Sequence, residues 1–187
     1  MPLQKIMKTL AVATTLLLPT AAWAMHPLIT DDAGTLGRGK YQFEVNGQYD
    51  HDEEGSVEST GYQMAAGQSY GVTDTIDLVA GIPYLWAKEK DSGVEVSNEN
   101  GVSDASLDVK WHFFEKNGLS LAMKPGLALP TGNEEKGLGS GKVGYHVYAI
   151  ASKEVDPWAI HVNLGYIRNE NDTDDRVNLW HASLAGT

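Results

Sequence analysis

The sequence predicts an all-β fold, an antiparallel up-and-down transmembrane β-barrel of which about eight strands are visible. Apolar and polar residues alternate with a period of two along most of the chain, which is typical of strands with two differently solvated faces. The connections between these stretches are alternately short and long, as in outer-membrane barrels. A mean hydropathy of −0.29 and the lack of an apolar run of 18 residues exclude a helical membrane bundle.

Composition excludes several other classes. The 187 residues include no cysteine, so disulfide scaffolds, thiolate zinc sites, iron–sulfur clusters and cysteine nucleophiles are excluded together. The 14 basic residues are outnumbered by 25 acidic ones, giving a formal charge of −11. Nucleic-acid binding depends on neutralising phosphates with Lys and Arg, so we expect no nucleic-acid partner.

The N-terminus has the organisation of a secretory signal peptide over residues 1–24. Lys5 and Lys8 supply the positive region, residues 10–18 form the apolar core, and 22–24 form a small-x-small cleavage site. We therefore expect export by a cleavable signal. Residues 25–38 are then a periplasmic N-terminal segment, which either plugs the pore or lies below it, and the barrel occupies residues 39–187.

Eight stretches in the barrel region follow strand periodicity, and each is about long enough to cross a bilayer when tilted. Pro83 and Pro125 lie inside two of them, where the missing N–H predicts a bulge or a break. The predicted strands cover residues 41–49, 60–70, 76–87, 105–113, 119–129, 143–152, 158–166 and 177–185.

The connections fall into two groups. Short turns are predicted at 71–75, 115–118 and 153–157, and in an outer-membrane barrel these face the periplasm. Long polar loops are predicted at 50–58, 88–101, 131–141 and 169–176. These loops contain 15 of the 25 acidic residues, so we expect a negatively charged rim on the outer surface.

Aromatic residues with outward parity cluster near the two ends of the predicted strands, with small aliphatic residues between them. Two aromatic rings around an aliphatic middle are typical of the girdles at membrane–water interfaces. The predicted membrane-interface aromatics are Tyr41, Phe43, Tyr49, Tyr62, Tyr70, Tyr84, Trp86, Trp111, Phe113, Tyr145, Trp158, Tyr166 and Trp180.

Polar side chains of the opposite parity are expected to line the lumen, where they are candidates for ligand binding and permeation. They are Glu44, Asp108, Lys110, His112, Lys124, His146, Tyr148 and His161. A catalytic cluster is a second interpretation. Against it, the strands around 153–157 are expected to pair residues whose numbers sum to about 310. That pairing places His146 opposite Leu164 and brings no serine to a histidine.

Two other motifs do not support a bound group. The glycines at 139–144 match a dinucleotide fingerprint, but a strand pattern follows them where that motif requires a helix. The acidic run 170–175 lacks the glycine and the closing glutamate of a calcium loop. We therefore expect a wetted lumen of mixed charge with no catalytic residues, no metal site and no cofactor.

Several motifs resemble one bacterial family. They are His26-Pro27-Leu28-Ile29-Thr30-Asp31-Asp32-Ala33-Gly34-Thr35, Tyr70-Gly71-Val72-Thr73-Asp74, Lys124-Pro125-Gly126-Leu127-Ala128-Leu129-Pro130-Thr131-Gly132 and Glu135-Lys136-Gly137-Leu138-Gly139. Together they are similar to outer-membrane barrels assigned to transport in the MetA pathway of phenol degradation. The resemblance covers essentially the whole exported chain.

The resemblance implies an outer-membrane, porin-like channel of a Gram-negative bacterium that passes small aromatic or hydrophobic solutes without chemistry. Its expected partners are outer-membrane lipid and lipopolysaccharide, the barrel-assembly machinery and the solute. The resembling proteins continue for several more strands, whereas this chain stops at Ala185-Gly186-Thr187. We therefore expect the N-terminal part of a larger barrel, with a closed eight-strand barrel as the alternative.

Three other functions stay open on the sequence. The first is a structural or adhesive outer-membrane protein with a filled lumen. The second is a barrel-embedded enzyme. The third is a soluble exported barrel, because period-two alternation alone does not say which face is the interior.

Overall fold

The computed structural model describes residues 30–171 and 176–187, and these form one antiparallel sheet. Predicted features at 1–29 and at 172–175, including the signal peptide and most of the acidic run, lie outside the described residues. The strands are β1 Tyr41–Glu54, β2 Val57–Gly71, β3 Ile76–Asp91, β4 Val94–Val102, β5 Ala105–Lys116, β6 Leu119–Leu129, β7 Gly144–Val155, β8 Trp158–Arg168 and β9 Asn178–Gly186.

The sheet has up-and-down topology and curls into a half-barrel. Its order is β1-β2-β3-β5-β6-β7-β8-β9, with β4 pairing the other half of β3. Strands β4 and β5 both run antiparallel to β3 and follow one another along it, so together they form a single barrel strand. The eight predicted strands are therefore confirmed, and each of them overlaps an observed strand.

The break between β4 and β5 lies opposite Pro83. Below this proline β3 pairs β5 as far as Gly81, and above it β3 pairs β4 from Tyr84. Because proline has no N–H to give to the ladder, this is where the neighbouring strand can be interrupted at least cost. The strand that contains Pro83 is itself unbroken from Ile76 to Asp91, so the predicted break falls in the neighbouring strand instead.

Pro125 has a similar but smaller effect on the β5–β6 ladder. Pairing passes from Asp108↔Gly126 directly to Trp111↔Met123. The register then shifts between His112 and Phe114, nearer to the end of the hairpin at Lys116↔Leu119. The extra residue leaves both Phe113 and Phe114 exposed.

Two of the four predicted long loops are wrong. Residues 50–58 and 88–101 continue the hairpins, whose ladders run to Glu54↔Val57 and Asp91↔Val94 and close in two-residue turns. Apart from Val57, Val94 and Val96 their side chains are polar on both faces, so the alternation that marks a strand is weak although the backbone ladder persists. Loop 131–141 is confirmed and contains one short 3-10 turn, Glu134–Lys136.

This loop folds back onto the break between β4 and β5 through the carboxylate of Asp104. Its Oδ1 accepts from Gly132 N at 3.0 Å, and its Oδ2 accepts from Ser140 N at 2.8 Å and from Ser140 Oγ at 2.6 Å. The hydroxyl of Thr131 also donates to Ser103 O at 2.9 Å. The loop is thereby fixed over the site where the fourth barrel strand is interrupted.

We expect Asp104→Asn to loosen this loop. The carboxamide can still accept at one oxygen but presents N–H groups toward Ser140, so about 1 kcal/mol of stability should be lost. Limited proteolysis between residues 132 and 140 should become faster while the strand content, read by circular dichroism, stays unchanged. Glu135→Gln, in the same loop, is the control, and equal proteolysis of both variants would contradict the role of Asp104.

The two faces of the sheet differ sharply. The outer face, which carries Val45, Leu107, Ile160 and Leu164, exposes most of the large apolar side chains. The inner face buries polar groups, namely Asp77, Asp108, Lys110 and Asn163. Within the described part of the chain, no helix is long and apolar enough to cross a membrane.

Candidate functional site

Residues 30–40 cross the inner face near the end of the sheet that carries the short turns, and we call them the inner strap. The strap joins the sheet where Gly39 N donates to Gly71 O at 2.7 Å and Gly71 N donates to Lys40 O at 2.9 Å. A Cβ on Gly71 would lie 2.0 Å from the Gly37 carbonyl oxygen. Only glycine therefore allows the strap to approach β2 this closely.

Asp31 holds the far end of the strap against two lysines on adjacent strands. Its Oδ1 lies 2.9 Å from Lys110 Nζ, and its Oδ2 lies 2.7 Å from Lys124 Nζ. The Asn163 side chain makes two hydrogen bonds to the Asp31 backbone, accepting from its N at 2.7 Å and donating to its O at 2.7 Å. Asp31 thus links β5, β6 and β8.

Lys110 and Lys124, the lysine pair, fall opposite one another in the β5–β6 register, between the pairs Asp108↔Gly126 and Trp111↔Met123. Like charges at facing positions repel, and the Asp31 carboxylate offsets that repulsion. Burial alone would raise the pKa of Asp31, but the two ammonium groups outweigh burial and hold its pKa below the usual value. Asp31 is therefore ionised at neutral pH, and its contribution to stability is lost only on acidification through that lowered pKa.

The middle of the strap packs into the sheet. Ala33 is fully buried beside Ala122 and Ile150, and its N–H donates to Ser152 Oγ at 2.8 Å. Nearer β1, Leu36 N donates to Asp77 Oδ2 at 2.9 Å. These contacts extend from β3 to β8, so the strap covers the inner face over most of its width.

Above the strap lies a set of rings that we call the aromatic shelf, consisting of His146, Tyr148 and His181. The Tyr148 ring lies 5.4 Å from His146 and 5.8 Å from His181, and Lys124 Nζ lies 5.5 Å from its centroid. His146 Nε2 contacts Asp108 Oδ1 at 2.5 Å, which fixes the imidazole. A Cβ on Gly165 would lie 2.5 Å from the Tyr148 ring, so the ring lies against bare backbone.

The structure brings together five of the eight predicted lumen residues around Asp31 and the shelf: Asp108, Lys110, Lys124, His146 and Tyr148. The other three lie elsewhere. Glu44 accepts from Gln42 Nε2 on β1, and His112 contacts Phe114 O near the end of β5. His161 pairs with Ser152.

The predicted pairing of β7 with β8 is wrong. The hairpin closes at Val155↔Trp158, so paired numbers sum to 313 and His146 lies opposite Ile167. The ladder continues to a two-residue turn, whereas the sequence suggested a wider one. As a result Ser152 does pair with His161, with 2.8 Å between Oγ and Nδ1. Its hydroxyl also accepts from Ala33 N, so the strap occupies it.

Several site residues were missed in the sequence. Asp31 belongs to the strap and His181 to the shelf, while the residues that contact the strap are Asp77, Ser152 and Asn163. Four of them, Asp77, Ser152, Asn163 and His181, could have been found because they stand at inward-facing positions of their strands. Asp31 stands within the motif that carries the family resemblance, and only that motif singles it out. Among residues 30–171 and 176–187, no three His, Asp or Glu side chains are grouped to hold a metal ion.

The predicted interface aromatics lie on the outer face. Eleven of the thirteen are exposed, while Tyr84 and Tyr166 are half-buried and donate their hydroxyls to Asn100 and Asn178. Cross-strand contacts align them at two levels, with Tyr41–Tyr70 at 4.8 Å near the short turns and Tyr49–Tyr62 and Tyr166–Trp180 at 4.9 and 5.1 Å near the other end.

These aromatics also border an open groove of about 830 Å³ on the outer face. Tyr49, Tyr62, Met64 and Trp86 line it. Lys88 and Lys90 lie at its upper end, where they pair with Glu95 and Glu58. The groove is therefore apolar in its body and carries balanced charges at one end.

A curled antiparallel sheet with an apolar, aromatic-banded outer face and a polar inner face defines a protein of the β-barrel class. The chain belongs to the family described as "Putative MetA-pathway of phenol degradation", which matches residues 26–187. A comparison with curated proteins returned no match.

Proposed function

We propose that this protein is an outer-membrane β-barrel through which small aromatic or hydrophobic solutes diffuse passively. The observation that carries the proposal is the opposite chemistry of the two faces. Exposed apolar and aromatic side chains cover the outer face, whereas charged and hydrogen-bonded side chains are buried on the inner one. That is the inverse of a water-soluble barrel and is typical of barrels in lipid.

The outer face supports a membrane position. Its aromatic side chains lie at two levels, and the residues between them, such as Val45 and Val162, are aliphatic. Tyr and Trp favour the headgroup region, where the ring is buried and the polar tip stays wet. Lipid and lipopolysaccharide are the partners proposed for this face. Export through residues 1–24 and insertion by the barrel-assembly machinery would precede that contact.

The inner face supports passage of a solute. The aromatic shelf offers ring contacts, and the polar groups beside it offer hydrogen bonds, which together suit a small ring with one polar substituent. The family description, which concerns phenol degradation, names chemistry of this kind. Movement would follow the concentration gradient, so we propose no reaction, no cofactor and no energy source.

The proposal is tested by reconstituting the full-length protein in planar bilayers. We expect discrete conductance steps, with phenol or benzoate reducing the current reversibly as they occupy the lumen. Membrane fractionation of expressing cells should place the protein with the outer membrane. A barrel that inserts well and conducts nothing would contradict the channel function.

One observation favours a second candidate, a structural barrel with a filled lumen. The inner strap already covers the inner face from β3 to β8 near the short turns. If the strap closes the passage permanently, conductance should be absent and should stay absent when the strap is displaced by mutation. Loss of cell binding on deletion of loop 131–141 would then assign the role to that loop.

A further inference from the structure

The lysine pair binds a carboxylate that belongs to the same chain, that of Asp31. Lys110 and Lys124 face each other on neighbouring strands, and the Lys110 side chain is only 6 % exposed. Two ammonium groups held so close need an anion between them. The carboxylate of Asp31 meets this need with one oxygen on each lysine, at 2.9 and 2.7 Å.

Asp31, which supplies this carboxylate, belongs to the strap and not to the sheet. Asp31 lies 79 and 93 residues from its two lysines, and Asp32, whose Oδ1 is 4.0 Å from Lys110, belongs to the same segment. If the strap moved away, both acids would leave together. Among the acids of the sheet, Asp77 interacts electrostatically with Lys110 and Asp108 with Lys124, and Asp108 is already bound by His146.

We propose that the lysine pair, together with Asn163, is a binding site for a small aromatic carboxylate, and that Asp31 occupies this site within the chain. The site lies beside the aromatic shelf, because Lys124 contacts both Asp31 and the face of Tyr148. A carboxylate on the lysines would therefore place an attached ring against Tyr148. This proposal rests on the proposed function and names one substrate class for it.

Competition with Asp31 sets how tightly the solute binds. A tethered group acts at an effective concentration of the order of millimolar or above, so the intact chain should bind the free solute weakly. Weak binding suits a channel, because a solute that stays bound does not pass. Removing the Asp31 carboxylate should convert the weak site into a tight one.

Chemical rescue tests the site directly. Asp31→Ala in the full-length protein, held in lipid nanodiscs, should unfold at a lower temperature than the wild type. Benzoate, the probe, should raise that temperature saturably by about 3–5 °C, with at least tenfold higher affinity than in the wild type. Acetate should act in the same direction but less, since it has no ring to place on Tyr148. Chloride at equal ionic strength controls for screening.

Two variants test whether the lysine pair binds a free carboxylate or only holds the strap in place. Asp74→Ala removes the carboxylate that accepts from Arg38 N, a strap contact without a lysine, and it should respond to benzoate no more than the wild type does. Lys124→Gln combined with Asp31→Ala should abolish the rescue. A benzoate response equal in all variants, or absent in Asp31→Ala, would overturn the proposal.

If Asp31→Ala does not fold, Asp31→Asn keeps the size of the side chain and removes its charge. Benzoate binding to that variant, measured by calorimetry, then decides, because absence of binding there rejects the site. The two proposals fail separately. Benzoate binding without any conductance would reject the channel but keep the site, and conductance without benzoate binding would do the reverse.

Discussion

Val45→Arg is expected to lower stability by about 2–4 kcal/mol if the outer face lies in lipid as proposed, the cost of a cation near the bilayer midplane. Val45 lies on the outer face of β1, 53 % exposed, midway between two aromatic residues of that strand, Tyr41 and Tyr49. The measurement is urea unfolding from lipid vesicles, followed by tryptophan fluorescence.

The neighbouring residue supplies the control for Val45→Arg. Asn46 pairs with Ala65 on β2, and Val45 pairs with the adjacent Ala66. The Asn46 side chain, however, points to the inner face. Asn46→Arg should therefore change stability by less than about 0.5 kcal/mol. If the barrel were soluble, Val45→Arg would meet water and cost little. A harmless Val45→Arg would thus reject the membrane position of the outer face.

Gly71→Ala is expected to detach the inner strap. The added methyl group would lie 2.0 Å from Gly37 O, which belongs to the backbone and cannot rotate away. We expect a loss of about 1–3 kcal/mol in stability from this overpacking. Since the strap leaves the inner face, we also expect conductance to rise several-fold in planar bilayers and the strap to become sensitive to protease.

Gly67→Ala controls for the loss of glycine itself. Gly67 lies on the same strand and the same face, and a Cβ there meets only Ala80 O at 4.0 Å. Stability and conductance should stay at the wild-type level. Equal effects of the two substitutions would contradict the close approach at Gly71. A detached strap without any rise in conductance would show that the strap does not restrict passage.

The barrel walls could be predicted because their determinants are local. Alternation predicted all eight strands, but Pro83 leaves its own strand intact, and the break lies between β4 and β5 on the side where its missing N–H leaves the ladder incomplete. The ends of the hairpins could not be predicted, since residues 50–58 and 88–101 are mostly polar and carry little alternation. The β7–β8 register failed for a related reason, because it depends on a turn only two residues long.

The candidate site was predicted only in part. Lys110, Lys124, His146 and Tyr148 follow from inward parity, which is a property of each strand alone. The position of Asp31 depends on contacts with residues 79 to 132 positions away, and no periodic pattern encodes such contacts. The repulsion between facing lysines is a physical hint, but it becomes visible only when the β5–β6 register is known.

The distant partners of the strap also set the order of assembly. Asp31 and Ala33 leave the ribosome before any strand, yet they bind side chains of β5, β6, β7 and β8. Contacts that close such long loops form late, after hairpins with neighbouring partners. The strap, which is made before every strand, is therefore expected to be the last segment to settle. The time at which the strap becomes protected from protease should therefore report when strands β5 to β8 have assembled.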